Sequence, residues 1–192
     1  LLIEKGIGTR IIESEEAQKM YDALTPEIKE TLPAKNILKS LEAAKAREEK
    51  GKSTAIGATA PDFSGPTPDG KELSLKEAMG KVTIIDFWAA WCKPCRVENP
   101  NVVNIYNKYH SKGLNIIGVS LDRKEEDWKK AIADDKLSWN HISSLDYFND
   151  AVAKLYNVEA IPATFILDEN GVIVAKNLRG PELESKISEL LQ

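Results

Sequence analysis

Ile84-Ile85-Asp86-Phe87-Trp88-Ala89-Ala90-Trp91-Cys92-Lys93-Pro94-Cys95 is the stretch from which the rest of the chain can be read. From Val82 to Trp88 the residues other than Asp86 are β-favouring and, Thr83 aside, apolar, the pattern of a buried strand. The chain then turns through Ala89-Ala90-Trp91, and a helix is expected to open with Cys92 in its first turn. A helix N-terminus offers unpaired N–H groups and the positive end of the dipole, which favour thiolate over thiol. Only the thiolate attacks a disulfide. Cys92 is therefore expected to be the exposed nucleophile and Cys95, one turn further in, the resolving thiol. Residues i and i+3 at a helix start lie within bonding reach, so the pair can cycle between dithiol and disulfide. These twelve residues imply thiol–disulfide exchange.

The remaining composition is consistent with that reading. A chain of 192 residues with 42% hydrophobic and 29% charged side chains can hold one ordinary globular domain and an appendage. A net charge of −4 and the lack of a basic tract exclude nucleic acid as an expected partner. No stretch approaches the roughly 20 apolar residues of a membrane helix. The two cysteines sit in one motif, which excludes a disulfide-rich scaffold. A zinc site would need further ligands, and His110 and His141 stand alone, so neither metal nor cofactor is expected. The opening Leu-Leu-Ile-Glu-Lys-Gly carries neither an initiator Met nor a signal peptide and reads as a processed product.

Residues 1–55 read as a helical linker or the remnant of a preceding domain, with helices expected over Ser14 to Leu24, Pro26 to Thr31 and Ile37 to Lys50. Thr25 is placed to cap the second, with Pro26 at its first position. A boundary is expected at Gly51-Lys52-Ser53-Thr54-Ala55, followed by a catalytic domain over 56–192. Asp69-Gly70 signals a hairpin, and Ser74 with Glu77 fits a capping box. After the central strand, the cysteine helix should run to about His110, kinked or split at Pro100. Leu114 to Leu121 reads as a second buried strand. Asp122 with Glu125 should cap the next helix, and the charged run Asp122 to Asp135 should be a solvated face. A short helix is expected over Asp150 to Tyr156. Ala163 to Leu167 and Val172 to Ala175 read as strands joined at Asp168 to Gly171, and Pro181 starts a closing helix. The order implies an α/β fold whose mixed central sheet carries helices on both faces, preceded by an N-terminal helical segment.

Several separated stretches resemble the thioredoxin superfamily, specifically the TlpA/ResA-type extracytoplasmic thiol–disulfide oxidoreductases. They are Ala60-Pro61-Asp62-Phe63, Asp69-Gly70-Lys71, Asp86-Phe87-Trp88-Ala89, Trp91 to Arg96, Glu98-Asn99-Pro100, Ile161 to Phe165 and Asp168 to Gly171. The resemblance implies a thioredoxin-like fold over residues 56–192. It also implies a cis peptide at Ile161–Pro162 packed against the cysteines, with backbone groups that pair with an incoming peptide. Asp86 matches an aspartate that takes the resolving thiol's proton in thioredoxins. Thioredoxins tend to pair that group with a lysine on the adjacent strand, whereas Leu114 to Leu121 contains none, which leaves the proton route open. Glu98 matches an active-site glutamate of ResA-like proteins, with an exposed helix glutamate as the competing reading. Lys93 and Pro94 are expected to tune the pair, and Trp91 to form an apolar docking surface, while Trp88 belongs to the core. Trp128, Trp139, Tyr147 and Tyr156 read as packing or surface aromatics.

The expected activity is exchange of disulfides with protein substrates, more in the direction of a reductase. A monomer is expected, and the resemblance implies a place in the periplasm or otherwise outside the cytoplasm, with a membrane anchor through an N-terminal region preceding Leu1. Electrons would come from a membrane or thioredoxin-type donor. One rival is a peroxiredoxin-type peroxidase, since those proteins share the Ala-Pro-Asp-Phe opening. A second is a non-catalytic docking module whose thiols only stabilise it.

Overall fold

The computed structural model describes residues 13–192, and residues 1–12, on which the reading of a processed N-terminus rests, lie outside them. The chain divides into two compact units between Lys52 and Ser53. In the first, α1 (Ser14–Asp22), α2 (Pro26–Lys29) and α3 (Leu32–Lys52) enclose a small apolar core of Ala17, Tyr21, Ala34, Ile37 and Leu41. Helical spacing explains the choice, since Ala17 and Tyr21 on α1, like Ile37 and Leu41 on α3, stand four residues apart and share a face. α3 starts five residues before the expected Ile37. Pro33 falls within its first turn, where a missing N–H costs nothing. Thr25 takes the N-cap position of α2, but its side chain makes no capping bond to the backbone. It bonds instead to Glu27, whose carboxyl lies below its usual range through bonds to its own backbone N–H and to Thr25.

The second unit is built on a five-stranded sheet of order β5-β4-β3-β6-β7. The strands are β3 (Val82–Trp88), β4 (Leu114–Ser120), β5 (Asn140–Ile142), β6 (Ala163–Leu167) and β7 (Ile173–Lys176). β3, β4 and β5 run parallel, and β6 and β7 complete the mixed sheet antiparallel. All seven residues of β3 are buried. That follows from its central place, because a strand covered on both faces is apolar on both; the Thr83 hydroxyl is satisfied by the Gly80 N–H, and Asp86 is the charged exception that needs a reason. The short edge strand β5 has no counterpart in the sequence reading. At three residues it is too brief to show an alternation, and it forms because Asn140 to Ile142 pair with Ile117 to Val119.

A separate hairpin, β1 (Ser64–Pro66) with β2 (Glu72–Ser74), turns through Gly70 at φ +78°, a left-handed conformation natural to glycine. α4 (Leu75–Ala78) opens on the expected Ser74–Glu77 capping box. The cysteine helix, α5 (Lys93–Tyr109), continues unbroken through Pro100. Thereafter come α6 (Glu125–Asp134), α7 (Ala151–Leu155) and α8 (Gly180–Leu190), with α8 packed against α5.

Candidate active site

The carboxyl end of β3 delivers the dithiol. Trp88 ends the strand, the turn closes with the Cys92 N–H donating to Ala89 O at 3.0 Å, and α5 begins at Lys93 with Pro94 in its first turn. Cys92 is the N-cap, and its Sγ accepts from the Cys95 backbone N–H at 3.3 Å. The two cysteines are joined as a disulfide with Cα atoms 5.3 Å apart. One expectation fails here. Cys92 is not exposed: like Cys95 it is only 2% accessible. As the N-cap it turns its sulfur inward to the Cys95 N–H and away from solvent. Lys93 and Pro94, between them, are exposed.

On one flank of the disulfide stands Asp86, in register with Gly118 of β4 and Thr164 of β6. Burial, reinforced by the charge of Glu98 and opposed by Arg179, pushes its carboxyl up to about 7. A carboxyl poised there changes protonation near neutral pH, which suits proton transfer. Asp86, Cys95, Glu98, Pro162 and Thr164 line a shared cavity of about 20 Å³, room for a single water. The Thr164 hydroxyl is buried and finds no hydrogen-bond partner among the described residues. The Ile161–Pro162 bond is cis.

Glu98 is no free surface side chain. It is half-buried, and its Oε1 accepts from the Gly180 N–H and from Asn101 Nδ2, each at 2.8 Å, so that it caps α8. Arg179, absent from the sequence reading, donates to the Pro162 carbonyl at 2.7 Å. A lone arginine before a helix carries no local signal, and only the fold brings it beside the proline loop.

The other flank corrects two expectations. Asp122 does not cap α6, whose N-cap is Lys124 without a side-chain bond. Its buried carboxylate instead accepts from the Ala90 N–H and from the Ser120 hydroxyl. Nor is Asp135 part of a solvated face, since it pairs with Arg96 and accepts from Asn99 Nδ2 at 2.6 Å. Burial works against its charge, but Arg96 and Asn99 hold its carboxyl below the ordinary range. Trp91 is 48% exposed, lies 5.1 Å from the Tyr147 ring, and donates through Nε1 to Leu121 O at 3.3 Å. Trp88, Trp128, Trp139 and Tyr156 are buried. His141 stacks on Trp139 in the core, and burial pulls it down to about 4, so it is a neutral packing residue.

Residues 56–176 match the AhpC/TSA family. A thiol–disulfide oxidoreductase ResA of Bacillus cereus is 30% identical over 156 residues, covering 77% of this chain and 81% of its own. A thioredoxin-like protein of Bacillus subtilis, YneN, is 38% identical over 61% of this chain and 68% of its own. Among solved structures, the thioredoxin domain of a thiol–disulfide oxidoreductase from Bacteroides vulgatus superposes with a TM-score of 0.67 at 39% identity, covering 72% of this chain and 99% of that one.

Proposed function

The chain belongs to the AhpC/TSA family and is a thiol–disulfide oxidoreductase, and we propose from that premise that it reduces disulfides of protein substrates through Cys92 and Cys95. In the reduced enzyme the Cys92 thiolate attacks a substrate sulfur, forming a mixed disulfide and releasing one substrate thiolate, which takes up a proton. Cys95 then gives its proton to the carboxylate of Asp86 across the small shared cavity and attacks Cys92 Sγ. The second substrate thiol leaves, and the enzyme is left as the disulfide. A donor dithiol, from a membrane or thioredoxin-type protein, returns the two electrons by the same exchange.

The observation that carries this reading is the placement of Asp86, poised at about 7, on the cavity that Cys95 also lines. Substrate contact is assigned to exposed Trp91, Lys93 and Pro94, with the Ile161–Pro162 loop offering backbone groups for strand addition. Both cysteines and both carboxyls come from one chain, so a monomer suffices. The resemblance to TlpA/ResA-type proteins supports action outside the cytoplasm, in the periplasm or on the membrane's outer face. No helix among the described residues is long and apolar enough to cross a membrane.

The test is the decay of a trapped mixed disulfide at Cys92. Asp86→Asn should slow resolution by Cys95 without slowing its formation. Equal decay in the two proteins would remove Asp86 from the proton route.

A further inference from the structure

Ala90, two residues before Cys92, is held at both its N–H and its carbonyl, from Asp122 beyond β4 and from Arg96 one turn into α5. On one side the Ala90 N–H is shared between the two carboxylate oxygens of Asp122, at 3.1 and 3.0 Å, across 32 residues. On the other, the Ala90 carbonyl accepts from Arg96 Nη1 at 3.3 Å. Neither holder is loose. The Asp122 carboxylate also takes the Ser120 hydroxyl at 2.8 Å, and that hydroxyl in turn accepts the Asp122 N–H at 3.1 Å. Arg96 is forked onto Asp135, with Nη2 to Oδ1 at 2.8 Å, and Asn99 secures the same carboxylate. The fork geometry leaves Nη1 aimed at Ala90, a placement that a lysine ammonium would not reproduce.

Turn 89–92 sets where the first turn of α5 begins, and therefore where the Cys95 N–H meets Cys92 Sγ. That N–H is the donor that favours a thiolate at this position. Burial raises the Asp122 carboxyl above its ordinary range, as does Asp127, while the Ala90 N–H, Ser120 and Arg96 hold it down. A buried carboxylate bonded two residues before the thiol is an electrostatic handicap to a thiolate, and the structure retains it with every oxygen bonded.

We propose that Asp122 and Arg96 are positioning residues for the thiol exchange, clamping the two peptide groups that flank the Ala90 Cα so that Cys92 sits at the helix N-terminus with its thiolate stabilised. The proposal rests on Cys92 being the attacking thiol. It separates from a purely electrostatic view by sign. Charge alone predicts that removing the Asp122 anion lowers the Cys92 pKa, and that a charge-conserving change at Arg96 does nothing. The clamp predicts that both changes raise it.

The experiment follows the rate at which iodoacetamide labels the reduced full chain between pH 4 and 9, with the labelled cysteine mapped by mass spectrometry. Asp122→Ala and Arg96→Lys should each move the reactivity profile to higher pH, so that labelling at acid pH falls roughly three- to tenfold against the parent, a tenfold loss of thiolate matching about one pKa unit. A profile that stays put or moves to lower pH in a folded variant overturns the clamp. Should Asp122→Ala not fold, the half-exposed Arg96→Lys decides alone. Label found on Cys95 in the parent protein would instead overturn the assignment of the attacking thiol, a failure distinguishable from that of the clamp.

Discussion

The two flanks of the disulfide each carry a buried aspartate whose carboxyl burial raises, and the two differ in the hydrogen bonds that oppose that rise. Asp122 is satisfied: its carboxylate collects a backbone N–H and a hydroxyl, so charge can persist despite burial. Asp86 faces the desolvation cost together with the like charge of Glu98, and only Arg179 works the other way. The satisfied carboxylate holds structure, while the destabilised one is free to exchange a proton near neutral pH. On the proposed reading, hydrogen-bond supply separates the carboxyl that holds the turn from the one that exchanges a proton.

The largest effect should come from the sulfurs between these flanks. Cys92→Ser should abolish exchange with protein disulfides, while Cys95→Ser should accumulate a mixed disulfide visible on non-reducing gels. A docking module would keep its partner through both changes.

Next in size is Asp86→Asn, expected to slow Cys95 resolution by about a hundredfold or more, the usual reach of general acid–base catalysis. In the parent protein the same step should fall away as pH drops below about 7, where Asp86 becomes protonated. Stability should respond with the opposite sign. A carboxyl raised in the folded state binds more protons there than when unfolded, so between its unfolded value of 3.8 and about 7 stability falls as pH rises. Each pH unit across that window is worth about 1.4 kcal/mol, so Asp86→Asn should stabilise the protein above pH 7 by up to a few kcal/mol. The gain should vanish at pH 4, as denaturant melts at the two pH values would show.

Asp122→Ala should act in the other direction. It leaves the Ala90 N–H and the Ser120 hydroxyl without their acceptor and should cost about 1–3 kcal/mol at neutral pH in the same melts. A stabilising Asp122→Ala, or a destabilising Asp86→Asn at pH 8, would erase the contrast between the flanks.

The architecture around this contrast is largely legible in the sequence because it is written locally. The mostly apolar run Val82 to Trp88, the Cys-Lys-Pro-Cys turn, the Ser74 capping box and the Asp69-Gly70 hairpin are each set by neighbours within a few residues. What escapes is what the fold brings from afar. Asp122 followed by Glu125 satisfies the local pattern of a helix cap, yet a backbone N–H 32 residues away takes it. Asp135 belongs to a charged run at helical spacing, and its partner Arg96 lies 39 residues away. Glu98 finds the N-terminus of α8 across 82 residues. Cys92 is expected in the open because nucleophiles need access, and only the folded turn brings its sulfur back over the helix start.

The smallest effect is expected at the rim. Trp91→Ala removes an exposed ring resting on Tyr147 and should leave stability nearly unchanged. It should slow reduction of a protein disulfide severalfold relative to a small-molecule disulfide. Equal loss on both substrates would mean that Trp91 serves the dithiol itself and not docking.

The most direct test of reductase action is the reduction potential of the Cys92–Cys95 pair, equilibrated in defined thiol/disulfide buffers. A reductase whose disulfide must be refilled with electrons predicts a value near the thioredoxin end, about −270 mV. A value near about −120 mV would make the protein an oxidant and contradict the direction assigned to it.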